Sequence, residues 1–137
     1  MAMDFDKSRA HPAGPALKCL NYALHAAHLS VIGFSVTGWM FPATQPANLI
    51  LLLLVLGSWY GLGPLLGKCS TDGYCVITDI HWRVRRHIGI DAPSWGYMKY
   101  LVDGISGRKV DEELIDRITA LVFFSSLTAS IFTTFLY

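Results

Sequence analysis

The stretch LHAAHLSVIGFSVTGWMF, residues Leu24 to Phe41, has no charged side chain but places two histidines in an otherwise apolar run. It belongs to a longer segment, 19–67, that contains no Asp, Glu, Lys or Arg. A second segment without these residues covers 118–137. Charged residues make up 15% of the chain, whereas a soluble domain has roughly 25%. The sequence therefore predicts an integral membrane protein.

Three windows are long enough to cross a bilayer as helices, which takes about 20 apolar residues. They run from Cys19 to Phe41, from Asn48 to Leu66 and from Ile118 to Leu136. The short PATQP segment between the first two predicts a turn and hence an antiparallel helical hairpin. We therefore divide the chain into an N-terminal arm (1–18), a transmembrane hairpin (19–66), a polar loop (67–117) and a third transmembrane helix (118–137).

The basic residues predict the orientation of these helices. Eight of the eleven Lys and Arg residues lie in the polar loop: Lys68, Arg83, Arg85, Arg86, Lys99, Arg108, Lys109 and Arg117. The other three, Lys7, Arg9 and Lys18, precede the first span, and the hairpin turn has none. By the positive-inside rule, the arm and the loop are cytoplasmic and the C-terminus faces the other side. We expect the protein in the bacterial inner membrane, or in a specialised membrane derived from it.

The polar loop contains two helical patterns. In CVITDIHWRVRRHIGI, residues 75–90, apolar side chains recur at near-helical spacing beside Trp82, which predicts an amphipathic helix lying at the membrane interface. Its basic residues Arg83, Arg85 and Arg86 are candidate contacts for anionic lipid headgroups or a partner. A second, weaker helix is predicted over SWGYMKYLVDGI, residues 94–105, and KVDEELIDR resembles the acidic first turn of the third span. The predicted fold class is an all-α membrane protein with three transmembrane helices and one interfacial helix.

Small and hydroxyl-bearing residues occur in all three spans at positions suited to helix packing. Small residues let helix backbones approach closely, and hydroxyls form hydrogen bonds between helices. The candidate packing residues are Ala26, Ser30, Gly33 and Thr37 in the first span, Gly57 and Gly61 in the second, and Ser126 and Ser130 in the third. Our leading hypothesis is an accessory or structural subunit of a larger bacterial membrane complex. It would dock onto other integral membrane subunits and contact anionic lipids.

His25 and His28 are the candidate cofactor residues, because they are three positions apart and share one face of the first helix. They are either polar cross-links between packed helices or axial ligands to haem or a chlorophyll-type pigment. The other two spans contain no histidine, so a bis-histidine haem would need a partner subunit or a symmetric copy. A chlorophyll-type pigment needs one imidazole, and Trp39 follows as in an antenna helix. The alternative function is therefore a cofactor-carrying subunit in electron or energy transfer.

Other functional classes lack a matching pattern. Cys69, Cys75, His81 and His87 are spaced by six, unlike the short Cys-x2–4-Cys and His-x3–5-His pairs of zinc sites. The sequence contains no Gly-x-Ser-x-Gly, no His-Glu-x-x-His and no phosphate-binding glycine loop. No basic stripe interleaved with aromatic residues indicates nucleic-acid binding. We expect neither an enzyme nor a metal centre.

A set of short motifs resembles an uncharacterised family of small bacterial inner-membrane proteins, a domain of unknown function. The matching features, from about His25 onward, are Trp59 and Gly61, then Cys75-Val-Ile-Thr78, the three arginines, Gly89, and Gly96-Tyr97 before the last span. Members of that family carry Cys-Pro-Leu-Thr, then a Glu, an Arg-rich stretch and Gly-Phe-Ile-Glu-His. The resemblance implies the same membrane architecture but no particular activity.

The chain departs from that family pattern at three places. Val76 replaces the proline, His81 stands where the family has an acidic residue, and Lys99-Tyr100 replaces the Glu-His pair. If those family positions bind a ligand, we expect this chain to have lost that binding.

Overall fold

The computed structural model describes residues 14–67, 75–94 and 96–136. Over these ranges the regular structure is entirely helical, which confirms the predicted all-α class. Most of the N-terminal arm, with Lys7 and Arg9, and also Lys68 and Cys69, lie outside the described residues. The five main helices are α1 (Pro15–Thr37), α2 (Gln45–Gly57), α3 (Val76–His87), α4 (Tyr97–Ser106) and α5 (Glu112–Leu136).

Among the described residues, three helical segments are long and apolar enough to cross a membrane, as predicted. They are Pro15–Met40, Gln45–Leu65 and Glu112–Leu136. At most 17% of the most apolar window of any span is buried inside the chain. Large apolar side chains such as Leu54, Leu121 and Phe135 are exposed. In a bilayer these surfaces face lipid or other membrane helices, so their exposure has no hydrophobic cost there.

The helices begin earlier than the predicted spans, for local reasons. Pro15 starts α1 and Pro46 lies in the first turn of α2, where a missing backbone N–H breaks no helical hydrogen bond. At the start of α5, the Asp111 carboxylate accepts a hydrogen bond from the backbone N–H of Leu114 at 3.1 Å. This side-chain cap lets α5 begin at Glu112, well before the apolar window.

Pro64 shapes the end of the second span. A π-helical turn, Ser58–Leu62, follows α2, and a last helical turn covers Gly63–Leu65. Proline cannot donate a backbone hydrogen bond, and a single π-turn is one way in which a helix accommodates that loss. The helix therefore changes its hydrogen-bond pattern before Pro64 and ends directly after it.

Hydrogen bonds from polar side chains stabilise the hairpin that the first two spans form. A 3-10 turn, Gly38–Met40, follows α1. Asn48 on α2 is fully buried, and its Nδ2 donates to the Phe34 carbonyl of α1 at 2.6 Å. The Thr44 hydroxyl donates to the Gly38 carbonyl at 2.6 Å. These bonds use side chains to join two helices whose own backbone groups are already paired.

The apolar core lies between the second and third spans. Leu49 and Leu52 of α2 pack with Phe123 and Leu127 of α5. Trp59 packs partly buried against this group, its ring centroid 4.6 Å from that of Phe123.

Gly38→Ala should destabilise the hairpin by about 1–3 kcal/mol, as overpacked sites do. A Cβ at position 38 would lie 2.6 Å from Asn48 Nδ2 and 2.9 Å from Asn48 Cβ, so Asn48 and α2 would have to move. Thermal unfolding in detergent micelles, followed by circular dichroism, measures the loss. Gly33→Ala is the matched control, since a Cβ there meets nothing within 4 Å. A Gly38→Ala protein as stable as the parent would contradict this packing.

Candidate functional site

Five ring-bearing residues from three helices meet where the polar loop packs against the first span. We call them the imidazole cluster: His25 and His28 of α1, His81 of α3, and Tyr97 and Tyr100 of α4. The helices α3 and α4, with their connection, are called the loop hairpin below. Helix α3 of this hairpin packs along α1, and the tyrosines of α4 contact the histidines of α1.

His81 lies at the centre of the cluster and has no exposed surface. Its Nε2 donates to the Asn21 side-chain oxygen of α1 at 3.1 Å. An amide oxygen only accepts hydrogen bonds, so the proton of the neutral ring is on Nε2 and Nδ1 carries none. Within the described part of the chain, His81 Nδ1 is buried without a hydrogen-bond partner.

The two histidines of α1 contact the loop hairpin through Tyr97. The His28 ring stacks on Tyr97 with a centroid distance of 3.8 Å and an interplanar angle of 6°. His25 Nδ1 and the Tyr97 hydroxyl lie in hydrogen-bond contact at 3.1 Å. His25 also meets His81 edge to face, at 4.3 Å between centroids. The sequence-based view of His25 and His28 as polar cross-links matches these contacts, although they bind the loop hairpin and not another span.

Arg85 of α3 packs beside the cluster, against Tyr100 and Trp82. Its guanidinium lies 5.0 Å from the Tyr100 ring centroid and 5.7 Å from that of Trp82. Nε and Nη2 donate to the Asp91 carbonyl at 3.2 and 3.0 Å, and Nη1 donates to the Tyr100 hydroxyl at 3.3 Å. These contacts bury Arg85 within the chain. The other two predicted headgroup contacts, Arg83 and Arg86, are exposed.

The electrostatics of the cluster favour neutral rings. Burial, with the nearby His25, His28 and Arg85, lowers the pKa of His81 from 6.5 to about 4. Burial and the adjacent Tyr100 raise the pKa of Tyr97. At neutral pH, His81 is an uncharged imidazole and Tyr97 an uncharged phenol.

Sequence reasoning found only part of this site. It selected His25 and His28, noted His81 only for its spacing, and missed Asn21 and the two tyrosines as partners. One signal was present, because Asn21, His25 and His28 form a polar stripe at helical spacing within an apolar helix. His81 and Tyr100, two positions at which the family resemblance fails, both lie in the cluster.

The arrangement does not fit a haem, a pigment or a metal centre. His28 is only 5% exposed, and its ring contacts Tyr97 and His81 of its own chain, so it does not face a subunit boundary. His25 is half-buried, and its ring contacts Tyr97 and His81 of the same chain. Over the described ranges, no three His, Cys, Asp or Glu side chains are arranged to bind a metal ion. We derive no cofactor chemistry from these residues.

The predicted helix-packing residues divide into two groups. Ser126 and Ser130 are buried on the face of α5 that carries Phe123 and Leu127. The other six are exposed in this chain: Ala26, Ser30, Gly33, Thr37, Gly57 and Gly61. A Cβ added at any of the three glycines would meet nothing within 4 Å.

Asn21→Leu should weaken the packing of the loop hairpin on α1 by about 1–3 kcal/mol. The substitution leaves the buried Nε2–H of His81 without an acceptor, and an unmade buried hydrogen bond costs energy of that order. Thermal unfolding in micelles measures the change. Tyr22→Phe is the control, since Tyr22 is 73% exposed on the same helix and should tolerate the change. Equal stability of Asn21→Leu and the parent would exclude this bond as a structural contact.

Comparison with known proteins agrees with the predicted membership of an uncharacterised family. No curated protein and no solved structure is significantly similar to the chain. Residues 18–135 match the family described as "Protein of Unknown function (DUF2784)". This range contains the second span, all but the outermost residues of the first and third spans, the imidazole cluster and the loop hairpin. The chain belongs to this family, whose function is unknown.

Proposed function

We propose that the protein is an accessory subunit of a larger complex in the bacterial inner membrane. In this proposal the N-terminal arm and the loop hairpin are cytoplasmic and α1 docks onto another membrane subunit. The supporting observation is that α1 has two opposite faces with different roles. One face binds the protein's own chain, and the other presents small residues that are exposed.

The inward face of α1 is already occupied. Asn21, His28 and Ser35 are buried on this face, and the first two contact the loop hairpin. The opposite face carries Ala26, Ser30, Gly33 and Thr37, all exposed. In lipid, close packing and interhelical hydrogen bonds drive association, and small residues allow both. This face therefore suits a partner helix better than it suits lipid chains alone.

Two further surfaces extend the proposed docking region. Gly57 and Gly61 form an exposed Gly-x-x-x-Gly pair in the second span. On the cytoplasmic side, Arg83 and Arg86 are exposed on α3, and Arg83 also pairs with Asp79 at 2.9 Å. Basic residues near a membrane surface attract anionic headgroups, at about 1 kcal/mol each. We assign α3 to the membrane interface on this ground.

The proposal gives the imidazole cluster a structural role. Its rings hold the loop hairpin against α1, so that the exposed arginines keep a fixed position relative to the docking face. The proposed subunit therefore organises a partner and does not catalyse a reaction itself.

Gly33→Leu should abolish the association with the partner without destabilising the chain, because the side chain projects into open space in the isolated protein. The parent, purified from its native membranes in mild detergent, should carry a membrane partner at fixed stoichiometry. Native mass spectrometry measures that stoichiometry. Ala47→Leu, at an exposed position of α2 near the turn, should retain the partner. A parent protein that is a folded monomer, or a Gly33→Leu protein with its full partner, would refute the proposal.

The proposed orientation predicts the activity of reporter fusions in a bacterial host. A fluorescent protein that folds only in the cytoplasm should be bright when fused after Gly107, between α4 and α5. Alkaline phosphatase, which needs the periplasm, should be active when fused after Tyr137. The opposite pattern at either site would reverse the proposed topology.

A further inference from the structure

We propose that the imidazole cluster is an acid-sensitive latch: protonation of His81 releases the loop hairpin from α1. This inference goes beyond the docking role and does not depend on it. The cluster supplies a pH-dependent attachment between a membrane span and a segment that carries four of the eight described Lys and Arg residues.

The contacts that attach the hairpin to α1 at this point are centred on His81. Its Nε2 donates to Asn21, and its ring packs against the edge of His25 at 4.3 Å and lies 5.5 Å from His28. Tyr97 adds its hydrogen bond to His25 and its stacking on His28. Two of the three α1 side chains in these contacts are themselves imidazoles.

An additional proton on the His81 ring would be unfavourable in the docked structure. The ring would gain it on Nδ1, which is fully buried and has no acceptor among the described residues. An unpaired buried N–H that also carries charge is among the most costly groups in a protein interior. Release of the hairpin would expose the ring to water and remove that cost.

The charged and titratable neighbours were considered on every element packed against His81. From α1 these are His25 and His28, and from its own helix Arg85, all of which oppose a positive charge on His81. From α4 they are Tyr97 and Tyr100, and burial raises the pKa of Tyr97. The other charged pairs nearby are the i,i+4 pairs Asp79–Arg83 on α3 and Lys99–Asp103 on α4. The nearest cationic groups therefore add to the cost of protonation.

The direction of the pH dependence follows from linkage. The pKa of His81 is about 4 in the docked state, and its ordinary value of 6.5 applies once water reaches the ring. The released state therefore binds more protons between these values, so docking is strongest above pH 6.5 and weakens as the pH falls towards 4. Between pH 7.5 and pH 5 the docking equilibrium should weaken about 30-fold.

The test uses Trp82, which is buried at this joint in the docked state. Replacing Trp39, Trp59 and Trp95 with Phe in the full chain leaves Trp82 as the only tryptophan. In lipid nanodiscs, acidification from pH 7.5 to 4.5 should shift its emission to longer wavelength and raise its quenching by iodide. Both changes should reverse when the pH is restored. A Trp82 signal that is the same at both pH values would overturn the proposal.

Matched variants show whether His81 is the sensor. His81→Phe keeps an aromatic ring but cannot bind a proton, so it should abolish the acid response. His87→Phe makes the same change on the exposed side of α3 and should leave the response intact.

If His81→Phe already exposes Trp82 at pH 7.5, the acid response is tested with His28→Phe instead. It retains a ring to stack on Tyr97 and removes one imidazole that opposes protonation, so it should reduce the response. An unchanged response in both His81→Phe and His28→Phe would refute the latch.

Discussion

The structure depends first on the absence of charge over two long stretches of the chain. Backbone groups in hydrocarbon find no water, so each N–H and C=O must bond within the protein, and a helix is the structure that achieves this locally. The three spans follow from that constraint. The chain changes direction only outside these stretches or through a compact turn, as at Gly38–Met40, where Asn48 and Thr44 bond to the carbonyls of the preceding residues.

Within this frame, the asparagine and histidine side chains of the first two spans are turned towards protein. Asn48 joins α2 to α1, while Asn21, His25 and His28 join α1 to the loop hairpin. A polar group facing lipid would be costly, and the same group between helices is an attachment point. The histidines that suggested a pigment or haem site are better explained as such attachments, because their rings contact residues of the same chain.

Because Asn21, His25 and His28 all lie on the inner side of α1, its outer face is exposed. The two proposals concern these two sides of the helix. In the first proposal, the small residues of the outer side bind a partner helix. In the second, the inner side holds the loop hairpin while the His81 ring is uncharged. Two of the positions at which the chain departs from the family pattern, His81 and Tyr100, both contact His25 of α1. Tyr100 accepts a hydrogen bond from Arg85, and His81 donates one to Asn21, so the replacements form part of one connected contact surface.

The sequence by itself determined the three spans, the short turn, both helices of the loop and the acidic start of α5, since hydropathy, charge and helical spacing are local properties. It also selected His25 and His28 from their position in an apolar helix. Only the tertiary structure decided that His81, Tyr97 and Tyr100 surround them. That contact joins residues more than fifty positions apart, and no local pattern indicates which face of α3 turns inward. The buried face of α3 is the one that carries His81, Trp82 and Arg85, because these side chains have hydrogen-bond or ring partners on α1 and α4.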